Sequence, residues 1–321
     1  VRVLVTGWFS FVHGEATAGD VLAAEAVGSA LRSAAISYDT AWSPVFRPGG
    51  LRLDDASPDR YTHLVFTCGP VRGEQVAGLH ERYASCRRIA VGVTVIDGAD
   101  PEAAGFDLIL ARDGHQARPA RDLAEAVPSA GGQPVPVAGV VLATGQGEYG
   151  ERRRHDLVAG RLTRWLGSKA CAPVPLETRL DTRDWRLCST PGAFMSLVSR
   201  LDLVVTTRLH GLVLALRAGV PALAVDPVAG GAKVTAQARA WRWPGILAAE
   251  DTADRARLDA QWDWCLSAAG RGAAAAAAAG PAGPHPLLTA MIADLRATGA
   301  AGGTSQPGSV SPPTGASTSP E

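Results

Sequence analysis

The stretch from Asp202 to Asp226 constrains this chain more than any other. Leu203-Val-Val-Thr206 is an apolar run without alternation, which suits a parallel strand covered on both faces. A tight exit carrying Arg208 and His210 follows, then an apolar helix beginning near Gly211, then a second buried strand over 222–225. A strand that leads through a short turn into a helix and back to a strand belongs to an α/β sheet. In such sheets ligands bind at the carboxyl ends of the strands, beside helix N-termini. A guanidinium and an imidazole two residues apart at that place form a natural anion site. The competing reading is that Arg208 caps a neighbouring helix and His210 is a satisfied core histidine.

The same rhythm runs through the rest of the chain. Strands are expected over 3–6, 63–67, 88–93 and 106–111, with a long loop from Gly7 to Gly19. Helices are expected over 20–33, with Asp20 as N-cap, and over 74–84. Pro128-Ser-Ala-Gly-Gly-Gln-Pro-Val-Pro136 is dense in breakers and is the natural linker. Beyond it come a strand over 137–143, a helix over 152–166, a short strand over 170–173, and a helix over 191–200 opened by Thr190 and Pro191. A further helix starts at Lys233 after the flexible Ala229-Gly-Gly231. Strands alternating with helices predict two α/β domains with parallel sheets, 1–130 and 136–296. From Gly270 the composition becomes low in complexity, although 287–295 can form a last helix. Residues 298–321, rich in Gly, Ser, Thr and Pro, are expected to be a disordered tail.

The formal net charge is zero, so no field favours nucleic acid. Only two of the 31 basic residues are lysines, Lys169 and Lys233. A lysine kept against so strong an arginine bias singles out Lys233, whereas Lys169 is read as solvated. The five cysteines are widely spaced, with no zinc-ligand pattern, so neither metal nor disulfide is expected and no cofactor is implied. No apolar run reaches the length of a transmembrane segment, and Val1-Arg-Val-Leu-Val-Thr-Gly7 reads as a first strand rather than a signal peptide. A cytoplasmic location is expected.

Thr206-Thr-Arg-Leu-His-Gly211 followed by Ala215-Leu-Arg-Ala-Gly-Val-Pro221 resembles the signature of the polysaccharide pyruvyl transferase family. Gly7-Trp8 with Ala18-Gly19-Asp20 is similar to that family's N-terminal glycine-rich loop, and Asp226 with Gly231-Ala-Lys233-Val to its aspartate and lysine segment. Thr17-Ala18 departs from the pattern, where members often carry Asn. The resemblance implies a GT-B-like pair of Rossmann-like domains with the active site in the inter-domain cleft. It further implies transfer of a pyruvyl group from phosphoenolpyruvate to hydroxyls of a saccharide, lipid-linked or nucleotide-linked sugar acceptor, forming a ketal.

In that reading Arg208 grips the donor's carboxylate or phosphate with its planar fork. His210 either binds phosphate or donates the proton, and Lys233 is a second phosphate contact or a solvated lysine. Arg112, beside Asp113 at a strand end, is another donor cation or half of a structural ion pair between domains. Gly19 and Asp20 belong to the acceptor side, unless Asp20 only caps its helix. Arg152-Arg-Arg-His155 is a solvated face or an acceptor diphosphate contact. Trp8 and Phe9 pack, or stack on a sugar. Two other functions compete. A GT-B glycosyltransferase using a nucleotide-sugar would need an acidic group for the ribose, for which Asp226 and Glu250-Asp251 are the candidates. A non-catalytic relative would keep the fold as a binding protein.

Overall fold

The computed structural model describes residues 1–114, 117–127, 134–280 and 283–301. It divides into two compact units, Val1–Gln133 and Pro134–Glu321.

The first unit carries β1 (Arg2–Thr6), α1 (Ala18–Ser33), β2 (Ser37–Thr40), β3 (His63–Thr67), α2 (Glu74–Arg82), β4 (Arg87–Val95), α3 (Pro101–Ala104) and β5 (Leu108–Gly114). Its strands form one parallel sheet in the order β2-β1-β3-β4-β5. The second unit carries β6 (Val137–Val141), α4 (His155–Leu166), β7 (Ala172–Pro175), α5 (Pro191–Val198), β8 (Leu203–Thr206), α6 (Leu209–Arg217), β9 (Ala222–Asp226), α7 (Lys233–Ala240), β10 (Ile246–Ala248), α8 (Arg255–Leu266), α9 (Ala268–Ala279) and α10 (Pro286–Ala301). Its sheet, again parallel, runs β10-β9-β8-β6-β7. Both units therefore place the first strand between the second and the third. This is the doubly wound α/β class expected, with two Rossmann-like sheets.

The unbroken apolar runs have a direct cause. Leu203 and Val205 of β8 enter the core made with Val158 and Leu162 of α4 and Leu258 and Trp262 of α8. Val204 points to the other face, against Leu212 and Leu216 of α6 and Val234 of α7. With a hydrophobic layer on each side, the positions from Leu203 to Val205 must all be apolar. Where the helix meets the strand most closely, only glycine fits. A Cβ on Gly211 would stand 2.1 Å from Thr206 Oγ1 and 3.3 Å from Val141 Cβ.

Several expectations require correction. Thr17, not Asp20, is the N-cap of α1: its hydroxyl accepts from Asp20 N, while the Asp20 carboxylate returns to Thr17 N, a reciprocal capping box. The helix expected from Arg152 begins at His155, after a 3₁₀ turn over Gly147–Arg152. The helix expected from Gly211 begins at Leu209. Order does not fade at Gly270. The alanine run forms α9, capped by Ser267, because alanine has the highest helix propensity and Ala274 buries fully against the α6 face. The helix α10 continues through Ala301, so the expected tail is helical at its start. Residues 302–321, and residues 128–133 of the linker, lie outside the described residues. Lys169 is not solvated: its ammonium pairs with Asp259 at 2.9 Å and lies over the rings of Trp165 and Trp262. Among the described residues, no helix is long and apolar enough to cross a membrane.

A test of this packing compares two glycines. Gly211→Ala is expected to cost roughly 1–3 kcal/mol, the usual price of overpacking. Gly160→Ala, on the open face of α4, meets nothing within 4 Å and should stabilise by up to about 1 kcal/mol. Chemical denaturation of both variants measures the contrast, and equal effects would contradict the close approach of α6 to β8.

Candidate active site

The exit of β8 is fixed by the two threonines that end it, both buried. Thr206 Oγ1 donates to the Val141 carbonyl at 3.0 Å and accepts the Arg208 N–H at 2.9 Å. Thr207 N donates to Val141 O at 3.1 Å, and Thr207 Oγ1 accepts from Ala143 N at 2.7 Å. These bonds lock the chain leaving β8 to the chain leaving β6. Because β6 is the first strand of the sheet and β8 the third, their chains diverge here. A crevice at such a switch point is where open α/β sheets bind ligands.

Arg208 stands at the N-cap of α6 and supplies no side-chain cap. Its guanidinium instead meets Glu177 in the loop after β7, with Nη1 3.1 Å from Oε1 and Nη2 3.2 Å from Oε2. Nη1 also reaches Thr178 Oγ1 at 3.4 Å. The capping alternative therefore fails, and the fork is engaged with a carboxylate. Both side chains keep about three-tenths of their surface exposed (28% and 32%). An ion pair this open contributes on the order of 1 kcal/mol or less, so breaking it would cost little. His210 occupies the first turn of α6 and is exposed, and among the described residues its side chain makes no hydrogen bond or ion pair. It is not a core histidine. The uncapped first turn of α6 leaves backbone N–H groups open beside both side chains.

Lys233 begins α7. Its Nζ lies 5.7 Å from the centre of the Tyr149 ring, and it forms no ion pair among the described residues. The segment before it is organised by Asp226, which is 1% exposed. Asp226 accepts from Val228 N at 3.1 Å, Ala232 N at 2.7 Å and Thr235 N at 2.8 Å. Both carboxylate oxygens are thus committed to backbone, which removes Asp226 as a ribose acceptor. The loop after β9 is tied to the loop after β6: Arg154 N donates to Pro227 O and Ala229 N to Arg152 O. Those two strands flank β8, so their joined loops bracket its exit.

The remaining candidates lie in the first unit. Arg112 has all its edges occupied there, by Asp113 (2.7 Å), Thr94 (3.0 Å) and Asp122. It joins β4, β5 and the turn after them, and its ion pairs stay within the unit rather than between units. Asp20 is held in the capping box and Gly19 is exposed in the first turn of α1. Phe9 is buried against Trp42, and Trp8 packs on Phe11 and donates to Pro70 O, so both serve packing.

Three features escaped the sequence reading. Glu177 carries no motif, and only the fold brings its loop to Arg208. His155 belongs to a cluster that the sequence leaves as a solvated face or an acceptor diphosphate contact, yet it is 1% exposed. A Gly-x-Gly-x-x-Gly spacing stands at Gly145-Gln-Gly-Glu-Tyr-Gly150, after β6. Because Gly150 precedes the helix rather than entering it, this is not the dinucleotide arrangement.

The model of the polysaccharide pyruvyl transferase family matches residues 175–227. The match opens at the end of β7, contains Glu177, Arg208 and His210, and closes just after Asp226. Comparison with curated proteins gives no match. Among solved structures, the spinosyn rhamnosyltransferase SpnG complexed with thymidine diphosphate is similar at 14% identity over 92% of this chain and 100% of that chain, with a TM-score of 0.33. SpnG alone matches at 13% identity over the same shares, with a TM-score of 0.35. The E. coli heptosyltransferase WaaC with ADP-2-deoxy-2-fluoro heptose matches at 11% identity over 82% of this chain and 100% of that one, with a TM-score of 0.25. Likeness this distant carries no argument about what the chain binds.

The buried histidines set a pH dependence. Burial lowers the pKa of His155, and the nearby Arg153 and Lys233 lower it further; burial also lowers that of His80. Both fold in the neutral form. Below the ordinary histidine pKa of about 6.5 the unfolded chain binds protons that the native state refuses, so stability falls as pH falls. The melting temperature should be lower at about pH 5.5 than at about pH 7.5, and the drop should shrink in His155→Gln. Identical drops in both proteins would contradict a neutral, buried His155.

Proposed function

We propose that this chain transfers a pyruvyl group from phosphoenolpyruvate to two hydroxyls of a saccharide, and that the exit of β8 holds the donor. The observation that carries the proposal is the fork of Arg208, which already grips a carboxylate at the mouth of an uncapped helix and can exchange Glu177 for the donor's own carboxylate. His210 and the open N–H groups of α6 then face the phosphate, with Lys233 as a second phosphate contact. Gly19 and Asp20 serve the acceptor side. Arg112, fully paired, acts by shaping its own loop.

The chemistry follows from charge. Protonation of the donor's methylene carbon turns it into a methyl group and leaves an oxocarbenium-like centre at the next carbon. A first hydroxyl adds there and loses its proton. Phosphate departs with the electrons of its C–O bond, and the second hydroxyl closes the ketal, releasing its proton in turn. Cations are needed throughout to hold the donor and to stabilise the departing phosphate. His210 is assigned to phosphate, since Arg208 and the α6 terminus beside it already favour an anion. A nucleotide-sugar reading has less support, because Asp226 has no free oxygen for a ribose and Asp251 is held by Ala248 N and Arg257.

Calorimetry with phosphoenolpyruvate tests the assignment. Arg208→Ala is expected to abolish binding, and Arg208→Lys to restore little, because an ammonium cannot reproduce the bidentate fork. Glu177→Gln should bind the donor more tightly than wild type, since the competing carboxylate is gone. Wild-type affinity in Arg208→Ala would remove the residue from the site. For His210→Gln, affinity and single-turnover rate are expected to fall together, as for a ligand made in the ground state. Unchanged affinity with a rate lower by roughly 10²–10⁴ would make it the proton donor instead.

A further inference from the structure

Between β6 and α4 the chain forms a glycine-rich cradle that the donor site does not use. Gly145 and Gln146 both take positive φ (83° and 65°), as does Gly150 (49°). A Cβ on Gly145, Gly147 or Gly150 would meet nothing within 4 Å. These glycines are therefore not demanded by packing within the fold; they leave bare backbone facing open space, where a ligand can approach closely. The loop is nevertheless held in shape: Arg153 Nε donates to Gly145 O at 2.5 Å, and the loop after β9 bonds to Arg152 and Arg154.

The loop delivers the chain to α4, a twelve-residue helix whose N-cap, Arg154, supplies no side-chain acceptor. Its first residue is His155, almost wholly buried, and its Nδ1 has no hydrogen-bond partner. A buried polar atom without a partner costs on the order of 1–3 kcal/mol unless something satisfies it. The ring lies nearly parallel to that of Tyr149 in the loop (22°, centroids 6.1 Å apart), and Lys233 covers Tyr149 as well. Asp156, in the same first turn, is neutralised by Arg153 at 2.7 Å. Open N–H groups at the start of α4 and an orphaned imidazole nitrogen thus meet at one loop.

We propose that this cradle binds the diphosphate of a diphosphate-linked sugar, the acceptor, separately from the donor anion at Arg208. Its designation as the acceptor's site rests on the pyruvyl-transfer reading; its recognition of a diphosphate does not. Bare glycine backbone and a helix N-terminus suit a group with several anionic oxygens, and His155 donates Nδ1–H to one of them.

The test uses the full chain and inorganic pyrophosphate, followed by calorimetry. Wild type should bind it saturably. Gly147→Asp, which adds a carboxylate into open space without touching the fold, should bind at least about tenfold more weakly, since both bulk and charge oppose the anion. The same variant should bind phosphoenolpyruvate as wild type does, and excess phosphoenolpyruvate should not displace pyrophosphate. His155→Phe, which keeps an aromatic ring and removes both ring nitrogens, should weaken pyrophosphate in the same direction. UDP and geranyl diphosphate distinguish a nucleotide-linked from a lipid-linked source by which binds more tightly. No pyrophosphate binding, equal binding in Gly147→Asp, or displacement by phosphoenolpyruvate would each overturn the proposal. Pyrophosphate binding lost in Gly147→Asp, in a protein that never binds phosphoenolpyruvate, would instead leave the cradle standing and defeat the donor reading.

Discussion

The hydroxyl of Thr206, together with the hydroxyl and backbone N–H of Thr207, holds the strand exits of the second unit in register. Through them the exits of β8 and β6 become one rigid edge, bonded at Val141 and Ala143. Gly211 lets α6 settle directly onto that edge, within reach of Thr206 Oγ1. The direction in which Arg208 and His210 project follows from this seat. Had the turn been free, a guanidinium on a long flexible stem would lose more side-chain entropy on binding than a surface contact returns.

The pairing of Arg208 with Glu177 gives this edge its chemical character. A buried arginine–carboxylate pair would be a structural element that no ligand displaces without heavy cost. This one is partly open to solvent, so under the proposed donor role its exchange for another carboxylate would cost little. Asp226 stands at the opposite extreme: buried, with backbone donors on both oxygens, it shapes the approach to Lys233 and cannot itself receive a ligand. Two carboxylates, each near the end of a strand of the same sheet, differ in role because one is wet and the other is not.

The sequence shows clearly what depends on local periodicity. The strand at 203–206 is legible because both of its faces are covered, and Arg208 and His210 are legible because they follow it immediately. Features set by distant partners are hidden. Glu177 acquires meaning only when the loop after β7 reaches the exit of β8, 31 residues away in sequence. The burial of His155 depends on Tyr149 folding back over the start of α4, and a run of arginines gives no hint of it. The alanine segment misled in the other direction, since low complexity concealed a well-capped helix with a small-residue face. β2, with Ser37, Tyr38, Asp39 and Thr40, is an edge strand only partly buried, and so it lacks the apolar run that marks the central strands.

A crystal structure of the protein soaked with phosphoenolpyruvate tests the central claim most directly. The account predicts the donor's carboxylate on the Arg208 guanidinium in place of Glu177, with its phosphate beside His210 at the first turn of α6. A bound donor elsewhere, with the Arg208–Glu177 pair intact, would contradict it.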